Sequence, residues 1–586
     1  MTQDDEGVVE SESRLSRRAF LRAAGIGTGA AALGEVWPTR IARGAEGTPY
    51  DLEVDVAVVG SSGAGFAAAC LARQAGAGKV AIFEKGAFVG GTTLKSGGVY
   101  WVPNNPLMQA AGLADPREDA LRYMARLSYP ELYSPARPRF GLHPGARALH
   151  ETFYDRGAEI LERLREGDVL EYEFWPGADG RPFPDYHAEL PENRSPRGRS
   201  LVTRNADGYP GAGTALIGAF EKAAERLGID IHLRSAATRL VVNDADEVVG
   251  LELATRKGSL RVRARRGVVF ASGGFPHNKE LVDGFLRGPA YGACEVATNE
   301  GDFISIAQSV GARLNNMKSA AWKQVVLDQV LAFGSIPNGV AAIPGDSSLM
   351  VNRYGKRVVN EKLNYNQRAQ VHFDWDAREN QYGNQLLFMI YDARTAELFA
   401  GVEPIPLAGA EHPEVLTASS LDALGRAIDA RLESFDDVVL RFRLDSGFAE
   451  SLAATVERFN GFARSGKDLD FARGETEHEA AFHGPRREGN AFPNALLHPL
   501  SETGPYHALI LAAGTFGTRG GPEIDPRSRV LHAEGHAIAG LYGAGNCIAS
   551  PAAGGYWGGG AQIGPGIVFG GIAGLEAAVQ PVRPWV

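Results

Sequence analysis

Cysteine is scarce in this chain and placed for no familiar cysteine chemistry. Cys70, Cys294 and Cys547 are the only three in 586 residues and lie far apart, with no CxxC and no CxxCH. That spacing excludes a disulfide framework, a zinc knuckle and a covalently attached haem. The thirteen histidines are scattered without an HExxH pattern, so no metal site is indicated. Basic charge is not in excess: 60 Lys and Arg stand against 70 Asp and Glu, a net −10. Nucleic acid as a partner therefore has no electrostatic support. A membrane-spanning run is missing as well. The stretch from Ala537 to Leu575 carries no charge, but dense glycine with Pro551 and Pro565 fits a strand, a glycine-rich loop and a buried helix better than a span.

Glycine, by contrast, is abundant, and one cluster organises the rest. From Asp55 to Lys85 the sequence gives an apolar strand (Val56 to Val59), a turn Gly60-Ser61-Ser62-Gly63-Ala64-Gly65, a helix (Phe66 to Gln74), a second apolar strand (Val80 to Phe83) and Glu84. This is the pattern of a βαβ nucleotide site. Gly60 allows the tight turn, the helix N-terminus faces a pyrophosphate, Gly65 lets helix and strand pack closely, and Glu84 suits a ribose hydroxyl. Ser62 stands where the middle glycine of GxGxxG is usual. An ordinary glycine turn in an α/β protein is the alternative, and the flanking strands, helix and acid favour the nucleotide.

The chain is too long for one core, so two domains or one large nested domain are expected. Residues 1–45 form a targeting segment: Ser16-Arg17-Arg18-Ala19-Phe20-Leu21 is a twin-arginine pattern, with a short apolar stretch after it and small residues at Ala42 to Ala45. Export of a folded protein to the periplasm or cell envelope follows from it. A second glycine loop, Gly90 to Gly98, precedes Val99 to Asn105. The pattern is helical between Ala120 and Leu164, and Glu171 to Arg199 is an aromatic, proline-rich loop containing Phe183-Pro184-Asp185-Tyr186-His187. A helix (Thr214 to Arg226), a strand (Asp230 to Leu233) and a hairpin (Ala237 to Leu253) lead to a strand from Gly267 that ends in Ser272-Gly273-Gly274. Residues 50–280 thus form a first domain part, 281–490 a more aromatic and charged insert, and 491–586 a return to the first style.

With these motifs in place, the chain resembles the flavoprotein family containing 3-ketosteroid dehydrogenases, soluble fumarate reductases and urocanate reductases. GGTTLKSGGVYWVPNN, ASGGF, VNE and GLYGAGN are the markers, and the resemblance runs from Asp51 to Ala578. It implies an α/β fold: a Rossmann-like FAD-binding domain, discontinuous in sequence, with an inserted α+β domain capping the flavin ring. The expected FAD contacts are Gly60, Ser62, Gly63, Ala64, Gly65, Glu84, Lys85, Gly91, Thr92, Thr93, Ser96, Gly97, Gly98, Ala237, Ser272, Gly273, Gly545, Asn546, Gly560 and Ile563.

Fumarate-reducing members carry an arginine proton donor where this chain has Tyr365, and the arginine expected before the terminal Gly-Gly is also missing. Dicarboxylate reduction is disfavoured. The Δ1-ketosteroid dehydrogenases instead match at Phe183 to Tyr186, at Tyr365 after the VNE motif, and at Tyr556-x-Gly558-x-Gly560. Trp557 and Gly559 depart, standing where steroid enzymes commonly carry prolines, a change that could reshape the pocket. The resemblance implies 1,2-desaturation of a 3-ketosteroid. Tyr365 would abstract the α-proton with help from Tyr186, Tyr556 and the Gly560 N–H would hold the ketone oxygen, and the hydride would pass to flavin N5. The partners implied are a small-molecule ketone and an external electron acceptor such as a quinone or separate carrier. A dehydrogenase of another alicyclic ketone, an enone or enoate reductase, and a flavoprotein without turnover are the competing readings. His187 is expected exposed, Asn104 and Asn105 in a turn, and Arg204 and Lys323 on the solvated surface.

Overall fold

Val56, Ala57, Val58 and Val59 show no polar alternation, the signature of a strand covered on both faces. All four are buried, within the strand Leu52–Val59 at the centre of a nine-stranded sheet. Val80–Glu84 runs parallel on one side, with Val56 beside Val80 and Val59 beside Phe83, and Gly258–Phe270 runs parallel on the other, with Val59 beside Phe270. Asp230–Leu233 extends the sheet past Val80–Glu84, and Ala537–Gly543 lies parallel to the end of Gly258–Phe270. These parallel strands end on one edge, where Gly60, Lys85, Ala271 and Ala544 follow them. Ligand clefts open at such carboxyl edges.

The computed structural model describes residues 41–44, 49–204, 211–336, 339–410 and 412–586. The twin-arginine motif lies outside them. Ile41–Val586 fold as one compact unit.

The charge-free C-terminal stretch folds as a strand, a glycine loop and a buried helix, Ile563–Ala578. That helix packs on Gly63–Gln74 at a separation only glycine permits. A Cβ on Gly570 would stand 2.2 Å from the Ala64 carbonyl oxygen, and one on Gly574 would stand 2.1 Å from that of Ala68. No described helix is long and apolar enough to cross a membrane.

A second, six-stranded sheet is built around Tyr506–Thr518, which pairs antiparallel with Leu386–Asp392 over its first half and with Ala320–Val326 over its second. Helices Leu421–Glu433 and Phe448–Ser465 contribute to its core, which makes the insert α+β. Its longest strand falls beyond residue 490, so the second sheet crosses the expected boundary. The run Leu509-Ile510-Leu511-Ala512-Ala513-Gly514 has the apolar, glycine-ended character of the nucleotide-domain strands, and composition alone assigns it to the wrong sheet.

The helix contact sets a stability test. Gly574→Ala should destabilise the protein by about 1–3 kcal/mol, the usual cost of overpacking. Gly218→Ala, inside helix Gly213–Arg226 where a Cβ meets nothing within 4 Å, should stabilise it by about 0.5–1 kcal/mol. Denaturant unfolding reads both, and a Gly574→Ala variant as stable as the parent would contradict the close packing.

Candidate active site

A cavity of about 540 Å³ opens at the carboxyl edge of the nine-stranded sheet, with Lys323 and Phe516 of the second sheet in its wall. The wall also holds Gly60, Ser62 and Ala64 of the first turn, Glu84 and Lys85, and Gly91, Thr92, Thr93, Ser96, Gly97 and Gly98 of the second glycine loop. Ala237, Ser272, Gly273, Gly545, Asn546, Gly560 and Ile563 complete the expected set. Gly63 and Gly65 are outside it. A Cβ on Gly65 would stand 2.0 Å from the Gly60 carbonyl oxygen, so this residue serves the packing of the turn on its own helix.

The local chemistry suits a dinucleotide. Gly60 takes φ +98°, and a Cβ there would meet the Ala271 carbonyl oxygen at 2.5 Å. Only glycine fits. Ser62 keeps extended dihedrals and uses its hydroxyl twice, donating to the Ala271 carbonyl at 3.0 Å and accepting from the Gly65 N–H as helix cap. The departure from GxGxxG is therefore structural rather than disabling. Glu84 accepts the Ser61 hydroxyl at 2.6 Å and the Ser61 and Gly86 N–H groups, which fixes its carboxylate beside the turn. Lys85 is held by Asp302 at 2.9 Å. A helix N-terminus flanked by glycine and small residues, with an acid at the end of the next strand, fits a pyrophosphate and a ribose.

Three tyrosines from distant segments meet in the same cavity. Tyr186 follows Asp185, whose buried carboxylate accepts Trp101 Nε1–H at 2.7 Å, Arg199 at 2.6 Å and Asn193 at 3.2 Å. Arg199 also holds Asp115 through bonds of 2.6 and 2.9 Å. Tyr365 opens the short helix Tyr365–Arg368, capped by the Asn364 side chain, which accepts the Gln367 N–H at 3.1 Å. Glu361, ahead of it, is buried against Arg357 through two bonds of 2.8 Å and against Arg473 at 3.2 Å. Tyr556 sits in a glycine loop whose Ala553 and Gly555 carbonyls accept from Arg519.

The hydroxyls of Tyr186 and Tyr365 are 3.1 Å apart. The Tyr186 ring stacks on Tyr556 at 5.5 Å, and the Tyr365 ring stands edge-on to both, at 5.6 and 5.2 Å. Gly560, at φ +92°, continues this loop, and a Cβ there would lie 2.5 Å from the Tyr100 backbone. Its N–H has no acceptor among the described residues.

Burial dominates the electrostatics. It raises Tyr365 well above the usual phenol pKa, reinforced by the neighbouring Tyr186 and Tyr556. Tyr556 is raised by burial too, but hydrogen bonding to Tyr365 and the charge of Arg519 pull it down. Arg519 itself is lowered to about 10 by burial, with the phenols of Tyr556 and Tyr365 acting the other way. Its guanidinium lies 5.3 Å from the Tyr556 ring, and its Nε and Nη2 find no hydrogen-bond partner among the described residues. No motif marks Arg519 in the sequence beyond its place before Gly520-Gly521.

Two expectations need correction. Lys323 is 4% exposed rather than solvated, and its ammonium lies over the rings of Phe516 at 4.4 Å and Tyr365 at 5.0 Å. Every residue of its strand is buried, so no polar alternation could have placed it. His187 is buried as well, with Nε2 3.5 Å from the Asn364 amide. Arg204 is exposed and paired with Glu173. Asn104, at φ +46°, and Asn105, which caps the helix Pro106–Ala110, do shape a turn. Trp557 packs into the core against Trp101 and Phe153, while Gly559, not Trp557, reaches the cavity wall. One group able to ligate a metal, His532, Glu534 and His536, occurs among the described residues, away from the cavity wall.

The chain is similar to known proteins over most of its length. Residues 55–563 match the family described as FAD binding domain. A 4-oxocyclohexanecarboxylate 2-dehydrogenase from Sinomonas cyclohexanicum is 32% identical, over 91% of this chain and 94% of that protein. A 3-oxosteroid 1-dehydrogenase from Mycolicibacterium smegmatis is 30% identical, over 90% of this chain and 97% of that protein. The crystal structure of 3-ketosteroid Δ1-dehydrogenase from Sterolibacterium denitrificans, in complex with 1,4-androstadiene-3,17-dione, superposes with a TM-score of 0.74 at 23% identity. It covers 90% of this chain and 99% of that one, and so shares the fold.

The anchor behind Tyr186 can be tested alone. Arg199→Met leaves Asp115 and Asp185 buried without their cation and should cost about 3–5 kcal/mol of stability. Urea unfolding measures it, and a loss below about 1 kcal/mol, the range of a surface pair, would contradict the buried network.

Proposed function

This chain belongs to the FAD binding domain family, and on that premise we propose that it removes two adjacent hydrogens from a saturated ring ketone with Tyr365 as the base. It is an FAD-dependent oxidoreductase acting on CH–CH bonds, of the ketosteroid dehydrogenase type. The meeting of three phenols beside the unengaged Gly560 N–H carries the reading.

A ketone oxygen resting between the Tyr556 hydroxyl and the Gly560 N–H is polarised by two donors, each typically lowering the barrier by about 3 kcal/mol. The carbon next to it becomes acidic, and Tyr365 takes its proton. Tyr186, whose hydroxyl is 3.1 Å from that of Tyr365, hydrogen-bonds to the phenolate form and carries the proton onward. Arg519 provides the positive charge that favours an anionic phenol in a dry site. Bound FAD supplies the acceptor for the hydride from the neighbouring carbon. The electrons then leave to an external acceptor, a quinone or a separate carrier.

The expected substrate is a 3-ketosteroid. A smaller alicyclic ketone is the second reading, favoured by the relative named for an oxocyclohexanecarboxylate. Both named relatives act on a ketone carried by a ring. Tyr365 in place of a proton-donating arginine argues against reduction of a fumarate-type acid.

Tyr365→Phe should abolish anaerobic bleaching of the flavin by ring ketones, at least about a thousandfold, while FAD content is kept. Normal bleaching would remove Tyr365 from the mechanism. Because burial raises this phenol and the anion is the reactive form, the bleaching rate of the parent should climb with pH to at least about 9 without a plateau. A rate independent of pH from 6 to 9, ordinary values for a group already ionised, would contradict the phenol as base.

A further inference from the structure

The mechanism leaves Lys323, a charged group of the cavity wall, without a task. Lys323 lines the wall and is nine-tenths buried and more, yet its ammonium makes no hydrogen bond and no ion pair among the described residues. A buried cation without a partner is costly. The faces of Phe516 and Tyr365 offset part of that cost. Burial brings Lys323 down to about 8, so it remains mainly protonated at neutral pH.

The groups around it do not neutralise it. Cys294 is pushed up to about 12 by burial and stays a thiol. Glu403, also in the cavity wall, attracts Lys323 but stands outside ion-pair distance, and Arg368 repels it. Lys323 is also not the charge that tunes the phenols. It sits over ring faces rather than at a hydroxyl, and the phenols act on Arg519 instead.

Its position relative to the ketone site is informative. The Lys323 ammonium and the Tyr556 ring both flank Tyr365, at 5.0 and 5.2 Å from its centre. Lys323, Tyr365, Tyr556 and Gly560 all line the one cavity, so a ring whose carbonyl rests on Tyr556 and Gly560 shares that space with the ammonium. We propose that Lys323 binds a carboxylate carried by the ring ketone, which selects the second reading, a smaller alicyclic ketone in the form of an oxo acid, over a neutral 3-ketosteroid. This assignment rests on the ring-ketone reading above. A compact ammonium on a flexible stem suits a single carboxylate whose position on the ring the rest of the cavity sets, and pairing in a dry cavity is far stronger than in water.

Two measurements on the FAD-loaded protein test it. Cyclohexanecarboxylate, which has no ketone and cannot react, should bind the parent at least about 20-fold more tightly than Lys323→Met, read by calorimetry and by perturbation of the flavin spectrum. Lys323→Arg, which keeps the charge, should retain most of that binding. In turnover, a cyclohexanone carrying a ring carboxylate is compared with its methyl ester. The acid-to-ester ratio of kcat/KM should fall at least about 20-fold in Lys323→Met. Equal losses for acid and ester, or unchanged binding of cyclohexanecarboxylate, would overturn the assignment. If no ring ketone bleaches the parent flavin, the dehydrogenase reading fails on its own, and cyclohexanecarboxylate binding still decides the role of Lys323.

Discussion

A buried guanidinium stands behind each of the three phenols, and the cavity depends on that arrangement. Arg199 holds Asp185 and with it the loop of Tyr186. Arg357 and Arg473 clasp Glu361 ahead of Tyr365. Arg519 gathers the carbonyls of the loop that carries Tyr556. Three segments, each nearly two hundred residues from the next, must bring buried phenols together in one cavity, and loops alone do not hold such precision. Buried ion pairs earn little net stability, but losing one partner is severe. They therefore fix position more than they add to folding energy. Arg519 differs from the others, because no carboxylate among the described residues pairs with it and its charge remains available to the phenols.

That arrangement carries an internal tension. A dry pocket sharpens every hydrogen bond to a developing enolate, but the same dryness pushes the phenols away from the ionised form a base needs. Tyr365, with two other phenols against it, bears most of this penalty. The charge of Arg519, which acts on both Tyr365 and Tyr556, is the compensation the fold offers. Lys323, over the ring faces, faces the space a substrate would fill.

Much of this was legible in the sequence, for reasons that can be named. The turn at Gly60 was readable because its positive φ admits little else, and the parallel strands because burial on both faces removes polar alternation. The burial of the C-terminal helix was readable from the absence of charge between Ala537 and Leu575. The tyrosines were reached through resemblance to a family, since no periodicity distinguishes a catalytic phenol from a core one. Lys323 and His187 were misjudged by the default that places charge and loop histidine on the surface, which fails where a strand or loop lines a cavity. Tyr506–Thr518 fell within residues 491–586, grouped with the nucleotide-binding part, yet it pairs in the second sheet, because the two sheets use strands of the same composition.

The central claim is that these residues take a proton from the carbon beside a ring carbonyl before any hydride moves. It can be isolated by incubating the holoprotein with a saturated ring ketone in D2O, anaerobically and with the flavin reduced beforehand, while NMR follows the α-hydrogens. The account predicts stereospecific deuterium uptake at one α-hydrogen, far above the buffer rate and lost when Tyr365 is replaced by phenylalanine. Exchange no faster than in buffer, from a preparation that desaturates the same ketone once its flavin is oxidised, would contradict it.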